Sequence, residues 1–133
     1  MSSHNTATHP GLAPLFETPY YAVIFTSQRN SVALGYAETA DRMVALAAQQ
    51  PGYLGVESTR GAEGLGITVS YWRSLQDIAA WRREGQHQTA RDQGRADWYL
   101  HYALRIAKVE RNYGWDHLDG SADPMLNPAA QAS

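Results

Sequence analysis

The period of the apolar positions changes along the chain, and each change marks an element. Tyr20-Tyr21-Ala22-Val23-Ile24-Phe25-Thr26 is a near-continuous run of β-branched and aromatic residues. It reads as a strand buried on both faces. From Gly35 to Gln50 the period lengthens. Ala37, Ala40, Met43, Val44 and Ala47 recur at three- and four-residue steps, which places them on one face of a helix. Pro51-Gly52 ends that helix by removing a backbone donor and permitting a left-handed turn. Tyr53-Leu54-Gly55-Val56-Glu57-Ser58-Thr59 and Ile67-Thr68-Val69-Ser70-Tyr71-Trp72 read as two strands. The turn Arg60-Gly61-Ala62-Glu63-Gly64 between them makes the pair antiparallel.

Ser74-Leu75-Gln76-Asp77 offers a helix start. The Ser hydroxyl accepts from the backbone three residues on, and Asp77 suits the positive end of the helix. Leu75, Ile78, Ala79 and Trp81 lie toward one side of it. Arg82 to Asp97 is polar and carries Gly85 and Gly94 as breakers, so a helix that kinks or restarts near Gln86 is expected. From Trp98 to Glu110 the chain alternates. Trp98, Leu100, Tyr102, Leu104 and Ile106 fall on one side; Tyr99, His101, Ala103, Arg105 and Ala107 fall on the other. That predicts a long fourth strand.

The order β-α-β-β-α-β predicts an α+β, ferredoxin-like sandwich: an antiparallel sheet with helices on one face. The bare face keeps apolar side chains and calls for a partner. Two such sheets face to face would make a homodimer, a dimeric α+β barrel. Residues 1–18 and 116–133 are polar and punctuated by Pro and Gly. They read as a flexible N-terminal arm and a C-terminal tail around a domain at 19–115.

Composition narrows the chemistry. With 133 residues, 44% hydrophobic and 18% charged, the chain is one globular domain. It has no cysteine, which excludes disulfides, thiolate catalysis and Cys-ligated metal centres. A net charge of −2 provides no electrostatic footprint for nucleic acid or an anionic membrane. No apolar run approaches the ~20 residues of a membrane helix. The first residues lack a basic start and an apolar core, so no signal peptide is expected and a cytoplasmic location is the default. Four Trp and eight Tyr are the unusual figures. They serve packing, or they wall a flat pocket for a planar ligand.

One stretch carries a family likeness. Tyr71-Trp72-Arg73-Ser74-Leu75-Gln76-Asp77-Ile78-Ala79-Ala80-Trp81-Arg82, followed by His87, Gly94-Arg95 and Trp98-Tyr99, resembles the antibiotic biosynthesis monooxygenase superfamily. Ile106-Ala107-Lys108-Val109-Glu110-Arg111 fits as its closing strand, so the likeness spans about residues 18–115. The resemblance implies a dimeric α+β barrel with a pocket between sheet and helices in each subunit. Some members oxygenate polycyclic phenols or quinols with molecular oxygen and neither metal nor flavin; others bind and degrade haem.

The expected function is therefore a cofactor-independent monooxygenase acting on a planar phenol or quinol. A haem-binding or haem-degrading protein and a non-catalytic dimer holding a small ligand are the alternatives. Such oxygenation needs a pocket that orients a planar ring, takes one proton and excludes water. His87 is the candidate base, since a neutral imidazole accepts a proton near pH 7; an exposed helix-end His is the plain alternative. Relatives that degrade haem hold its iron through a His in this helical region. Trp81 resembles the helix Trp that shapes the pocket. At least one of Trp72 and Trp98 is expected near its mouth. Tyr71 and Tyr102 can offer hydroxyls to a substrate carbonyl. Arg73 can hold a phenolate or carboxylate, or a surface ion pair. His101 is expected at an interface. One departure stands out. The characterised branches carry an Asn on the first strand. Here that stretch has none before Asn30, past the expected strand end, which leaves Thr26, Ser27 or Gln28 as substitutes. No phosphate loop, nucleophile elbow or metalloprotease motif is present.

Overall fold

The apolar first strand is one of the sheet's two inner strands. In the computed structural model, which describes residues 11–117, β1 (Tyr20–Arg29) lies between β3 (Leu65–Trp72) and β4 (Tyr99–Val109), and β2 (Tyr53–Arg60) adds to β3. All three pairings are antiparallel, in the order β2-β3-β1-β4. The helices are α1 (Tyr36–Ala47), α2 (Leu75–Arg83) and α3 (Gly85–Gln93). This is the ferredoxin-like α+β architecture that the alternation of elements predicts.

Residues opposite one another in an antiparallel ladder share a face, and successive residues alternate. Tyr21, Val23, Phe25 and Ser27 therefore share a face with Trp72, Ser70, Thr68 and Gly66, and with Lys108, Ile106, Leu104 and Tyr102. The helices cover this face. Trp72, with no exposed surface, clusters with Ala47 of α1 and Ile78 of α2, and Tyr21, Val23, Tyr53 and Trp81 pack around them. The far face carries Tyr20, Ala22, Ile24 and Thr26 of β1 with Tyr71, Val69 and Ile67 of β3.

Three local expectations need revision. The inward stripe of α1 keeps Ala40, Met43 and Ala47 but gains the buried Thr39 and loses Ala37 and Val44, which are exposed. Alanine spacing misled because a residue without much side chain packs tolerably on either side. Second, Trp98 is not on β4. It ends a π-helical turn, Gly94–Trp98, whose wide loop is closed by the Tyr99 N–H on the Gly94 carbonyl. Asn30 holds the turn, its N–H on the Trp98 carbonyl at 2.9 Å and its amide on the Asp97 carbonyl at 2.6 Å. The register irregularity beside it, at Gln28/Arg29, brings Tyr99 against Phe25 on the helix face.

Third, the later part of the arm is docked, not loose. Phe16 packs edge-on to Tyr20 at 5.5 Å on the far face, and the Ala13 N–H donates to Glu57 Oε2 at 3.0 Å. Residues 1–10 and 118–133, including His4 and His9, lie outside the described residues. Among the described residues, no helix is long and apolar enough to cross a membrane.

Two glycines around α3 should respond oppositely to alanine. A Cβ on Gly94 would sit 2.7 Å from the Tyr99 ring, whereas one on Gly85 would meet nothing within 4 Å. Gly94→Ala should cost about 1–3 kcal/mol through overpacking. Gly85→Ala should gain about 0.4–1 kcal/mol by restricting the unfolded chain. Urea denaturation of the two variants checks both signs.

Candidate active site

Helix α2 begins as its sequence requires: the Ser74 hydroxyl accepts from the Asp77 N–H at 3.1 Å. It runs only to Arg83. Glu84 is extended, with φ −63° and ψ 130°, and α3 starts beyond it. Because α3 takes a new direction, His87 returns toward the end of α2. Its imidazole lies on Trp81, ring centroids 4.0 Å apart and 11° from parallel. Trp81 in turn stacks on Trp72 at 6.1 Å and 27°. Tyr53 meets Trp72 edge-on at 5.6 Å. Strand and helices thus deliver a three-ring column, Trp72–Trp81–His87, above the sheet.

The hydrogen bonding of His87 sets its chemistry. Its Nδ1 lies 2.9 Å from the Trp81 carbonyl oxygen. A carbonyl can only accept, so Nδ1 carries the proton and the neutral ring presents its lone pair at Nε2. Nε2 makes no hydrogen bond among the described residues. Burial lowers the imidazole pKa below its ordinary value; the Trp81 carbonyl opposes that shift, and the Arg91 and Arg82 charges add to it. At neutral pH the ring is uncharged and basic at one defined nitrogen.

Beside this column the β1 and β4 part of the floor is apolar, and β3 adds the half-buried hydroxyls of Ser70 and Thr68. Val23, Phe25 and Val56 are only half-buried although helices lie over their face, and Leu104 and Ile106 are 38% and 47% exposed. The helices therefore do not seal the sheet. A separate polar groove of about 530 Å³ opens between α1 and α3, lined by Arg42, Glu84, Gln86, Thr89 and Gln93 among others. None of the residues expected from the sequence to form the site lines it.

Those expected residues divide into four places. Trp72, Trp81 and His87 come together. Tyr102 shares their face but lies opposite Ser27, six residues along β1 from the Trp72 row, a distance of about 20 Å. There it packs on Phe25 and accepts from Arg95 Nε at 2.8 Å. Trp98 is 2% exposed, edge-on to Tyr36, with its indole N–H on the Leu34 carbonyl at 3.1 Å. It anchors the approach to α1.

Tyr71 faces the opposite side of the sheet from the column, because its neighbour Trp72 takes the helix side. Its hydroxyl donates to Glu57 Oε1 at 2.7 Å, and burial with that carboxylate raises its pKa well above the ordinary phenol value. Arg73 is exposed and holds the arm, donating to the Glu17 and Pro19 carbonyls at 2.9 and 3.3 Å. His101 is exposed on the far face.

No first-strand amide reaches the column. Ser27 faces the helices but is 2% exposed and accepts from Arg60 at 2.6 Å. Thr26 and Gln28 face away, and Asn30 is committed to the π turn. Tyr21 occupies the place instead, opposite Trp72 and packed against its cluster. Its hydroxyl makes no hydrogen bond among the described residues. Sequence reasoning missed it because Tyr20 and Tyr21 are equally aromatic and fall on opposite faces.

The model of the antibiotic biosynthesis monooxygenase family matches residues 20–93, which covers more than half of the chain and includes the whole Trp72–Trp81–His87 column. The chain belongs to this family. It is 59% identical over 95 residues to the YqjZ protein of Bacillus subtilis (strain 168), covering 71% of this chain and 83% of that one. Among solved structures it is similar to SnoaB, a cofactor-independent oxygenase from Streptomyces nogalater. That match has a TM-score of 0.58 and 10% identity, covering 73% of this chain and 97% of the other. Rv0793 from Mycobacterium tuberculosis matches with a TM-score of 0.56 and 12% identity, over 74% of this chain and 100% of that one. At these identities the likeness to solved structures is one of fold.

The lowered pKa makes stability depend on pH with a definite sign. The unfolded His takes a proton near 6.5 and the folded one only at lower pH, so the unfolded state binds more protons between those values. Stability should fall as pH drops from about 7 through this window. His87→Gln should flatten that part of the profile, read from urea midpoints at successive pH values.

Proposed function

We propose that this protein is a cofactor-independent monooxygenase that oxidises a planar phenol or quinol beneath its helices. The observation that carries the reading is the neutral His87, stacked on Trp81, with Nε2 making no hydrogen bond among the described residues. The family membership and the apolar floor of Val23, Phe25, Leu104 and Ile106 support it.

In this reading a flat substrate lies on the apolar floor beside the ring column. His87 Nε2 removes its phenolic proton, or the acidic carbon-bound proton of a phenol's keto form. The resulting anion is electron-rich enough to pass one electron to dioxygen. Recombination of the radical pair makes a carbon–oxygen bond. Loss of water from the hydroperoxide leaves the quinone, so one oxygen atom enters product and the other leaves as water. The protein's part is to orient the ring, hold the proton and limit water. Tyr21, whose hydroxyl makes no hydrogen bond among the described residues, is the proposed polar anchor for the substrate oxygen. Trp72 and Trp81 are the aromatic walls.

The reading includes a second copy of the chain on the far face of the sheet. The docked arm covers the Tyr20–Tyr71 end of that face, while Leu65 and Ile67, at the other end, are 59% and 42% exposed. Light scattering at micromolar concentration should give twice the chain mass.

Oxygen uptake with a panel of hydroquinones and anthrone-like phenols tests the chemistry. His87→Ala should lower turnover by about 10²–10⁴-fold, the range of a lost general base. Tyr71→Phe, altered only on the far face, should leave turnover close to wild type. Uptake unaffected by His87→Ala would remove His87 from the mechanism. A Soret band on adding haem, with no uptake across the panel, would replace this reading with a haem-binding one.

A further inference from the structure

The break between α2 and α3 is what allows the ring column to exist. In an unbroken α-helix, residue 87 would lie about 9 Å along the axis from residue 81, on another face. Two side chains so placed cannot stack at the observed 4.0 Å. In that helix the Trp81 carbonyl would accept from the N–H four residues on, with residue 87 too far along the axis to reach it. Here it accepts instead from the Glu84 N–H at 3.1 Å, which ends α2, and from His87 Nδ1 at 2.9 Å.

Glu84 holds that break with three of its groups. Its N–H closes the last turn of α2 on Trp81, and its carbonyl accepts the first helical bond of α3 from Gln88 at 2.9 Å. Its carboxylate Oε1 accepts the backbone N–H of His87 at 3.0 Å, which caps one of the unpaired donors at the start of α3 and places negative charge at its positive end. The residue that carries the imidazole is thus the residue that Glu84 grips. A second tie crosses the same break, Arg91 donating to the Arg82 carbonyl at 3.0 Å.

We propose that Glu84 is a positioning residue: by capping α3 at His87 it keeps the imidazole on Trp81 and its Nδ1 on the Trp81 carbonyl, which reserves Nε2 as the proton acceptor. This rests on the monooxygenase reading for its catalytic meaning, but the ring geometry can be read without any substrate. Nitrogen-15 spectra of the imidazole report the tautomer, and ring-proton shifts report the stacking on Trp81.

Wild type should show the Nδ1–H tautomer with strongly shifted ring protons. Glu84→Ala should lose both signatures and move toward the Nε2–H form that free imidazole prefers. Glu84→Gln, whose amide oxygen still accepts from His87, should keep both. Ser74→Ala removes the equivalent cap of α2 and controls for general helix weakening; it should leave the His87 signals in place. An unchanged His87 spectrum in folded Glu84→Ala, an equal change in Ser74→Ala, or loss of the tautomer in Glu84→Gln would each overturn the proposal. With a substrate in hand, Glu84→Ala should lower oxygen uptake by about 10²-fold, the scale of a misplaced catalytic group, and Glu84→Gln should not. If no substrate is found while the spectra behave as expected, the positioning role stands and the oxygenase reading fails alone.

Discussion

The structure depends on the burial of one side chain, Trp72. It lies at the end of β3 with no exposed surface, and through it the sheet reaches Ala47 of α1 and Ile78 and Trp81 of α2. The rest of the interior is thin. Val23, Phe25, Leu46 and Met43 are only half-buried. Most of the helix-to-sheet attachment is therefore concentrated at one end of the sheet. The other end of the helical layer is held by a different device, Trp98 under Tyr36 with its N–H on the Leu34 carbonyl. Between these two anchors lies a loosely covered stretch of the sheet.

The same anchor makes the chemistry possible. Trp72 supports Trp81, Trp81 supports His87, and the Trp81 backbone selects the imidazole tautomer. A basic nitrogen on a ring held by stacking and one hydrogen bond is oriented without a carboxylate partner. That differs from the usual arrangement in which an acid fixes the base. Glu84 is nearby, but it meets the His87 backbone N–H, not the ring.

The two faces of the sheet have separate tasks, although they share residues next to one another in the chain. Tyr71 and Trp72 are neighbours, yet Tyr71 joins Tyr20, Phe16 and Glu57 in holding the N-terminal segment. Arg73 secures that segment through two carbonyls, and Tyr20 ties the chain's later part with a 2.7 Å hydrogen bond to Asn112. Gly55 lies beneath, with Ala13 and Phe16 at 3.3 Å from where its side chain would begin. This covering segment uses residues that a reading of the pocket alone would assign to substrate.

Much of the architecture was legible in the residues by themselves. Apolar period, turn glycines and the Ser74 cap are local signals, and the ferredoxin-like order follows from them with little ambiguity. The family likeness rested on Trp81, His87 and their spacing, and those residues do meet Trp72 in space. What the sequence could not decide was which face each aromatic takes. β1 reads as apolar on both sides, so nothing local separated Tyr20 from Tyr21, and β4 lost its simple alternation where the π turn and register irregularity carry Tyr99 to the helix face. The break itself was legible from Gly85, within two residues of where it falls, but not that His87 would come back onto Trp81 across it. The elements and their order follow from bonds and periods within a few residues, and so were readable along the chain. Only the tertiary structure decided which side chains converge, because that is set by register, by the direction of a helix after its break, and by what has already occupied the opposite face.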